Sequence, residues 1–358
     1  MQLAFLRYFA RVMASVAILG VLAGCRTAQK PGTIAPRTGD EIVVAGQFVH
    51  TGTSVILWMD PGGYDAYRVE RRFSPLNKSD WETSQAEVRE LTSPNRYNLR
   101  RDSLTADELE RVRGGGWDLA TLQRVVDQFV IHFDACGTSR QCFKVLQDAR
   151  DLSVHFMLDL DGTIYQTLDV KERAWHATSS NGRGVGIEIA NIGAYGTKEK
   201  APFAEWYAPE QGGKTRITIP KRFGDGGFYT RNFVGHPKRP EPITGTIQGQ
   251  ELIQYDFTPQ QYVALAKLAA SLCRVLPRIK CDYPKDPHGN LIPQKLSADE
   301  LKHYQGILGH FHIQTDKVDP GPAFNWEYVI DHARRLLHGG MSEAADQTSM
   351  GHMRSRFE

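Results

Sequence analysis

The chain carries almost no net charge: 43 Lys and Arg against 41 Asp and Glu give a formal +2 over 358 residues. So small an excess leaves no electrostatic footprint for a nucleic-acid partner. Internal repeats are absent, which removes solenoids and propellers. No HExxH pair and no CxxC pair occurs, so neither a zincin helix nor a zinc-cysteine knuckle is present. Cysteine is scarce, at five residues, and the apolar run at residues 12–21 is too short to span a bilayer. What is there has a globular composition, 41% hydrophobic and 23% charged, with length for one large core or two modest ones.

Residues 1–25 stand apart. Arg7 and Arg11 give a positive start, residues 12–21 an apolar stretch, and Leu22-Ala23-Gly24-Cys25 a small-small-Cys ending. That ending resembles a bacterial lipobox. It implies cleavage before Cys25, lipidation of its thiol and an exported lipoprotein of the cell envelope. Arg26 stands where an aspartate would favour inner-membrane retention, which points to outer-membrane anchoring. Losing residues 1–24 removes two arginines and no acids, leaving the mature chain neutral. Export also changes how the remaining cysteines read, because the destination is oxidising. Cys136, Cys142, Cys273 and Cys281 are even in number and closely spaced in twos, which suggests two local disulfides. Each would stabilise by roughly 2–3 kcal/mol.

Punctuation divides the rest. Residues 26–41 are rich in Pro, Gly and Thr and read as a flexible tether. Residues 42–117 begin with strand-like runs and continue through a polar, arginine-rich stretch, an N-terminal extension or small lobe whose role stays open. Thr105 and Asp118 cap two short helices. The catalytic candidate is 118–340. Residues 129–133 form a buried strand and 143–150 a helix. Strands at 153–160 and 163–168 flank Asp161-Gly162, a hairpin signal, and 184–191 is another strand. Residues 193–257 are Gly- and Pro-rich and weakly periodic, an insertion expected to shape a substrate groove. Thr258-Pro259 opens a helix with an inward face at Tyr262, Leu265, Ala266, Ala269 and Leu272. A strand at 307–313 and a helix at 326–337 follow, and 341–358 read as a disordered tail.

The densest run of candidate ligands is GHFHIQTDKVDPGPAF, residues 309–324, with His310, His312, Asp316, Lys317 and Asp319. Nitrogen and oxygen donors at that density suit a catalytic zinc with one position left open. They suit an ordinary polar loop equally, so upstream residues decide. His132 closes an apolar strand in VIHF. His155, in SVHFMLDLDGTIYQ, reads as structural. His176 lies in AWHA, and Glu188 interrupts the apolar strand GVGIEIAN. A carboxylate there is unfavourable unless it meets solvent or a partner, and burial at a cleft edge raises its pKa towards the range of a general base.

The order strand-His, HFxxDxDGTIYQ, AWHA, GIEIxN, GHxxI…DPGPAF resembles the zinc-dependent N-acetylmuramoyl-L-alanine amidases of the amidase_2 type, relatives of the peptidoglycan recognition proteins. The resemblance covers about residues 129–337, outside much of 193–257. It implies an α/β fold, a mixed central sheet flanked by helices with a zinc cleft at its surface. It implies Zn2+ on His132, His310 and Asp319, Glu188 activating the water and Lys317 meeting the oxyanion. His176 and Asn191 become substrate contacts. The reaction implied is hydrolysis of the bond between N-acetylmuramic acid and L-alanine, in peptidoglycan or muropeptides, by a monomer. The alternative is a non-catalytic peptidoglycan-binding module, the fate of members that lost a ligand; here every position is filled. Cys136 and Cys142 also look like the disulfide that follows the histidine in the recognition proteins. One departure matters. Phe311-His312 replaces the commoner serine-aspartate, and on a strand His310 and His312 share a face, so His312 competes for the metal. Asp316 competes with Asp319 but lacks the DPGP context.

Overall fold

The computed structural model describes residues 30–339 except 90 and 115. The lipobox with Cys25 and the tail at 341–358 lie outside the described residues. The chain divides into two units, one ending at Arg37 and one running from Thr38. The fold below is that of the second.

The strands that matter are β1 (Val55–Leu57), β2 (Gln128–Phe133), β3 (Phe156–Leu158), β4 (Ile164–Gln166), β5 (Gly184–Ile189), β6 (Ile243–Ile247), β7 (Gln250–Gln254) and β8 (Gly306–Gly309). Six of them form one mixed sheet in the order β8-β2-β5-β3-β4-β1. Neighbours are parallel except β3 and β4, the hairpin turning at Asp161-Gly162. Alternation along the strands sorts their side chains. Phe129, Ile131, Val185, Ile187, Phe156, Leu158, Ile164 and Ile307 join the main core on one face. Val130 and Leu308 on the other face pack in a smaller cluster with Leu296 and Ile313.

Helices α1 (Leu119–Val125), α2 (Ser139–Lys144), α3 (Pro259–Val275) and α4 (Trp326–Leu337) flank the sheet. Thr258 and Gln261 close a capping box with proline at the first turn of α3, which explains its sharp start. The face of α3 with Tyr262, Leu265, Leu268, Ala269 and Leu272 is buried in the main core. Helix α2 begins at Ser139, ahead of the expected 143, because Thr138 accepts a bond from the Gln141 amide; a π-turn follows at Val145–Ala149.

The segment ahead of α1 is woven into this architecture. β1 is an edge strand of the sheet, and Tyr97–Leu99 pairs with Glu172–Ala174. The insertion carries more order than its sequence pattern suggests. Tyr195–Gly196, β7 and β6 form a three-stranded sheet, and Tyr207–Glu210 pairs with Lys214–Ile217. Ile192, Trp206, Tyr207 and Ile217 supply it with a small core. Among the described residues no helix is long and apolar enough to cross a membrane.

Candidate active site

Strand register builds half of the site. β2 and β5 run parallel with His132 opposite Glu188, so both side chains leave the sheet on one face at the strands' carboxyl ends. β8 lies on the other side of β2, with Gly309 opposite Ile131. The next residue, His310, therefore emerges beside His132. The expected strand over 307–313 stops at Gly309, and His310–His312 is a turn of 3-10 helix. His310 and His312 therefore do not share a strand face.

Three ligand atoms converge. His132 Nδ1 lies 2.8 Å from Asp319 Oδ2 and 3.1 Å from His310 Nδ1. His310 Nδ1 is 3.1 Å from the same carboxylate oxygen. All three residues are buried, and among the described residues theirs is the buried trio whose donors suit a metal ion. His310 Nε2 donates to Gln314 Oε1 at 2.7 Å, which leaves the Nδ1 lone pair of the neutral ring for the cluster. His132 Nε2 lies 3.0 Å from His176 Nδ1. Outer partners of this kind orient metal-binding histidines. Asp319 precedes a cis peptide bond to Pro320.

Electrostatics separates two carboxylates in the same site. Burial alone would raise Asp319, but the His310 and His132 imidazoles hold it well below the ordinary carboxylate range. Burial raises Glu188 well above its usual value, and the Asp319 and Asp134 charges raise it further. Among the described residues, the buried Glu188 Oε2 has no hydrogen-bond partner. Among the imidazoles, burial and His310 lower His132. Burial works against charge on His310 too, yet Asp319 more than offsets it and its pKa is raised.

Lys317 stands on the rim, half-buried, with Nζ 3.2 Å from Asp316 Oδ2. Its charge reaches both clustered histidines and opposes their protonation. Asp316 is exposed and outside the cluster. An open groove of about 620 Å³ reaches Gln314 and Asp316 from the amino ends of the strands, where Gln128, Arg183 and Lys302 line it; the metal trio, Glu188 and Lys317 do not.

Other expectations meet different surroundings. His312 is fully buried, its Nδ1 accepting from the Gly309 amide at 2.9 Å and its Nε2 donating to Ile292 O at 2.9 Å. Both ring nitrogens are used, so His312 is a brace for the turn and points no lone pair at the cluster. Asn191, expected to touch substrate, is buried, and its amide bonds Tyr255 O and the Gly193 amide. These bonds join the strand end to the insertion. His176 is half-buried behind His132. Gly186 makes room for it, since a Cβ there would lie 2.6 Å from the imidazole. The thiols of Cys136 and Cys142 sit together as unbonded neighbours, and so do those of Cys273 and Cys281. Gln314 was not singled out from sequence; the available signal was an amide four residues after His310, one turn along.

The model of the N-acetylmuramoyl-L-alanine amidase family matches residues 122–322. No curated protein matches the chain. Among solved structures, an AmpD derivative is 18% identical, covering 69% of this chain and 94% of its own, with a TM-score of 0.30. AmiD of E. coli, an N-acetylmuramyl-L-alanine amidase, is 17% identical over 58% of this chain and 57% of its own, with a TM-score of 0.32. The endolysin amidase LysCS of Clostridium intestinale is 14% identical over 62% and 88%, with a TM-score of 0.29.

Proposed function

Because this chain belongs to the N-acetylmuramoyl-L-alanine amidase family, we propose that His132, His310 and Asp319 hold a zinc ion with which it hydrolyses peptidoglycan between N-acetylmuramic acid and L-alanine. The observation that carries the metal assignment is the convergence of two imidazole Nδ1 atoms and one carboxylate oxygen at 2.8–3.1 Å, with the outer nitrogens engaged elsewhere. When bound, zinc supplies Lewis acidity that brings the pKa of a water towards about 7 and draws charge from a carbonyl. Glu188 takes the proton of the water that attacks the lactyl carbonyl. Its raised pKa suits it to hold that proton and return it to the departing amine of L-alanine. Lys317 meets the negative charge developing on the carbonyl oxygen, a contribution typically of about 2.7–4 kcal/mol for one such donor. His176, with Nδ1 3.0 Å from His132 Nε2, orients the His132 ring.

The work of such an enzyme lies in the cell envelope. The lipobox supports an exported lipoprotein tethered through Cys25, and the adjacent thiols support disulfides Cys136–Cys142 and Cys273–Cys281 after export. We take the protein to act as a monomer on peptidoglycan or muropeptides.

The deciding experiment incubates purified 26–358 with peptidoglycan, with and without chelator, and identifies products by mass. Chelator-sensitive release of stem peptides bearing an N-terminal alanine is expected. Zinc-replete protein that binds the polymer and releases nothing is instead a peptidoglycan-binding module.

A further inference from the structure

The hairpin of β6 and β7, deep in the insertion, contributes no side chain to the metal cluster. It nevertheless touches both loops that do. Ile247 pairs with Gln250, so Gln248 and Gly249 form a two-residue turn, and both have positive φ, 53° and 72°. Asn or Gly normally fills the first of these positions. Glutamine is strained there and persists where the surroundings over-determine it.

Those surroundings are specific. The Gln248 amide Nε2 donates to Phe311 O at 2.8 Å and Gln314 O at 2.9 Å. Its Oε1 accepts from the Lys295 backbone at 3.2 Å, and its own backbone amide donates to Pro293 O at 2.9 Å. Phe311 follows His310, and Gln314 is the residue that holds His310 Nε2. At the far end of β7, Gln254 is fully buried. Its Nε2 donates to Pro320 O at 3.1 Å and Asn191 Oδ1 at 3.3 Å, while its Oε1 accepts from the Ala323 amide at 3.0 Å. Pro320 follows Asp319, and Asn191 lies just past Glu188. The fit is close: a Cβ on Gly321, at φ +84°, would lie 2.2 Å from Gln254 Oε1.

Two amides on one rigid hairpin therefore tie down the His310 turn, the Asp319 turn and the end of the Glu188 strand. Backbone groups of both turns find side-chain partners there. Metal ligands need placement within about 0.5 Å, and neither turn belongs to the central sheet. We propose that this hairpin is a clip that sets the geometry of the metal-holding loops, with Gln248 and Gln254 as its positioning residues. The proposal rests on His310 and Asp319 being ligands.

Gln248→Gly tests it, because glycine keeps the positive φ, relaxes the strain and deletes the amide. Two quantities are measured on 26–358: zinc affinity by competition with a chromophoric chelator, and amide hydrogen exchange across 310–324 in zinc-free protein. Zinc binding is expected to weaken about tenfold and exchange in 311–315 to quicken about tenfold. Gln248→Asn suits the turn but is one methylene short, and is expected to match the glycine variant. Gln254→Glu removes the donor to Pro320 O and should loosen 319–323 in the same way. Unchanged zinc affinity in these variants overturns the clip, whether or not exchange quickens. If the wild type itself takes up no zinc, the metal reading fails, and the exchange arm alone decides whether the hairpin holds the loops.

Discussion

His132 and Glu188 stand opposite each other on adjacent parallel strands, whereas His310, Lys317 and Asp319 ride on a chain that has left the sheet at Gly309. The strand-borne pair is fixed by ladder hydrogen bonds and by what lies behind it. His176 packs over Gly186, and His155 Nδ1 accepts the Gly186 amide at 3.1 Å. Arg100, fully buried, donates to the carbonyls of Val170, Asn181, Gly182 and Gly184; burial pulls its pKa down to about 9. The loop-borne trio has no ladder. It depends on Gln314, on the Phe311 amide donating to Asp319 O at 3.2 Å, and on side chains from the insertion. On the proposed mechanism, proton handling would sit on the strand-borne half, and most of the charge that the metal and oxyanion would meet on the half that leaves the sheet.

The largest effect should come from the strand side. Glu188→Gln preserves shape and register but cannot take the proton, so kcat is expected to fall by roughly 10³-fold with zinc content and loop exchange unchanged. Mass analysis of released stem peptides and metal analysis check this together; a fully active variant removes Glu188 from the mechanism. On the loop side, Lys317→Ala should lower kcat by about 10²-fold, the scale of one lost oxyanion donor, with KM nearly constant. A rise in KM alone would make Lys317 a ground-state substrate contact.

His310 and His312 offer the sharpest contrast within the loop. His310→Ala is expected to abolish stoichiometric zinc. His312→Phe should keep zinc yet destabilise by about 2 kcal/mol, since the Gly309 amide and Ile292 carbonyl lose their partner inside the protein. Urea unfolding beside metal analysis separates the two. Loss of zinc in the His312 variant with stability intact would return His312 to the metal.

Much of the strand-borne half was legible in the sequence. A lone histidine ending VIHF and a lone glutamate inside GVGIEIAN are polar breaks in apolar strands, and period-2 alternation puts each at a defined face. The motif order then paired them. The loop-borne half was legible in identity but not in conformation. Residues 307–313 look like a strand because Ile307, Leu308, Phe311 and Ile313 are all apolar. The chain instead turns at His310, closed by the Ile313 and Gln314 amides on His310 O. Gln248, Gln254 and Arg100 were invisible, because each bonds mainly to distant backbone groups, which leave no trace in residue type. The insertion looked irregular for a related reason: its strands are short, and its turns use positive φ at residues other than glycine, such as Gln248 and Asn232.

The network behind the strands also makes a pH prediction, smaller and confined to one window. Burial, with the nearby Arg100 charge, pulls His155 from 6.5 down to about 3. Between those values the unfolded chain binds a proton that the folded protein refuses. Stability contributed by neutral His155 is therefore whole above about pH 6.5 and declines as pH falls, approaching about 1.4 kcal/mol per pH unit. Other groups titrate nearby, Asp134 with a pKa raised by burial to about 7 among them, so the test is a difference. Urea unfolding of wild type and His155→Phe from pH 7.5 to 5 should show the wild-type advantage holding above 6.5 and shrinking below it by roughly 1 kcal/mol per unit. A wild-type advantage that stays flat to pH 5 would mean that His155 is protonated in the fold, and that the strand-borne half is less firmly backed than its hydrogen bonds imply.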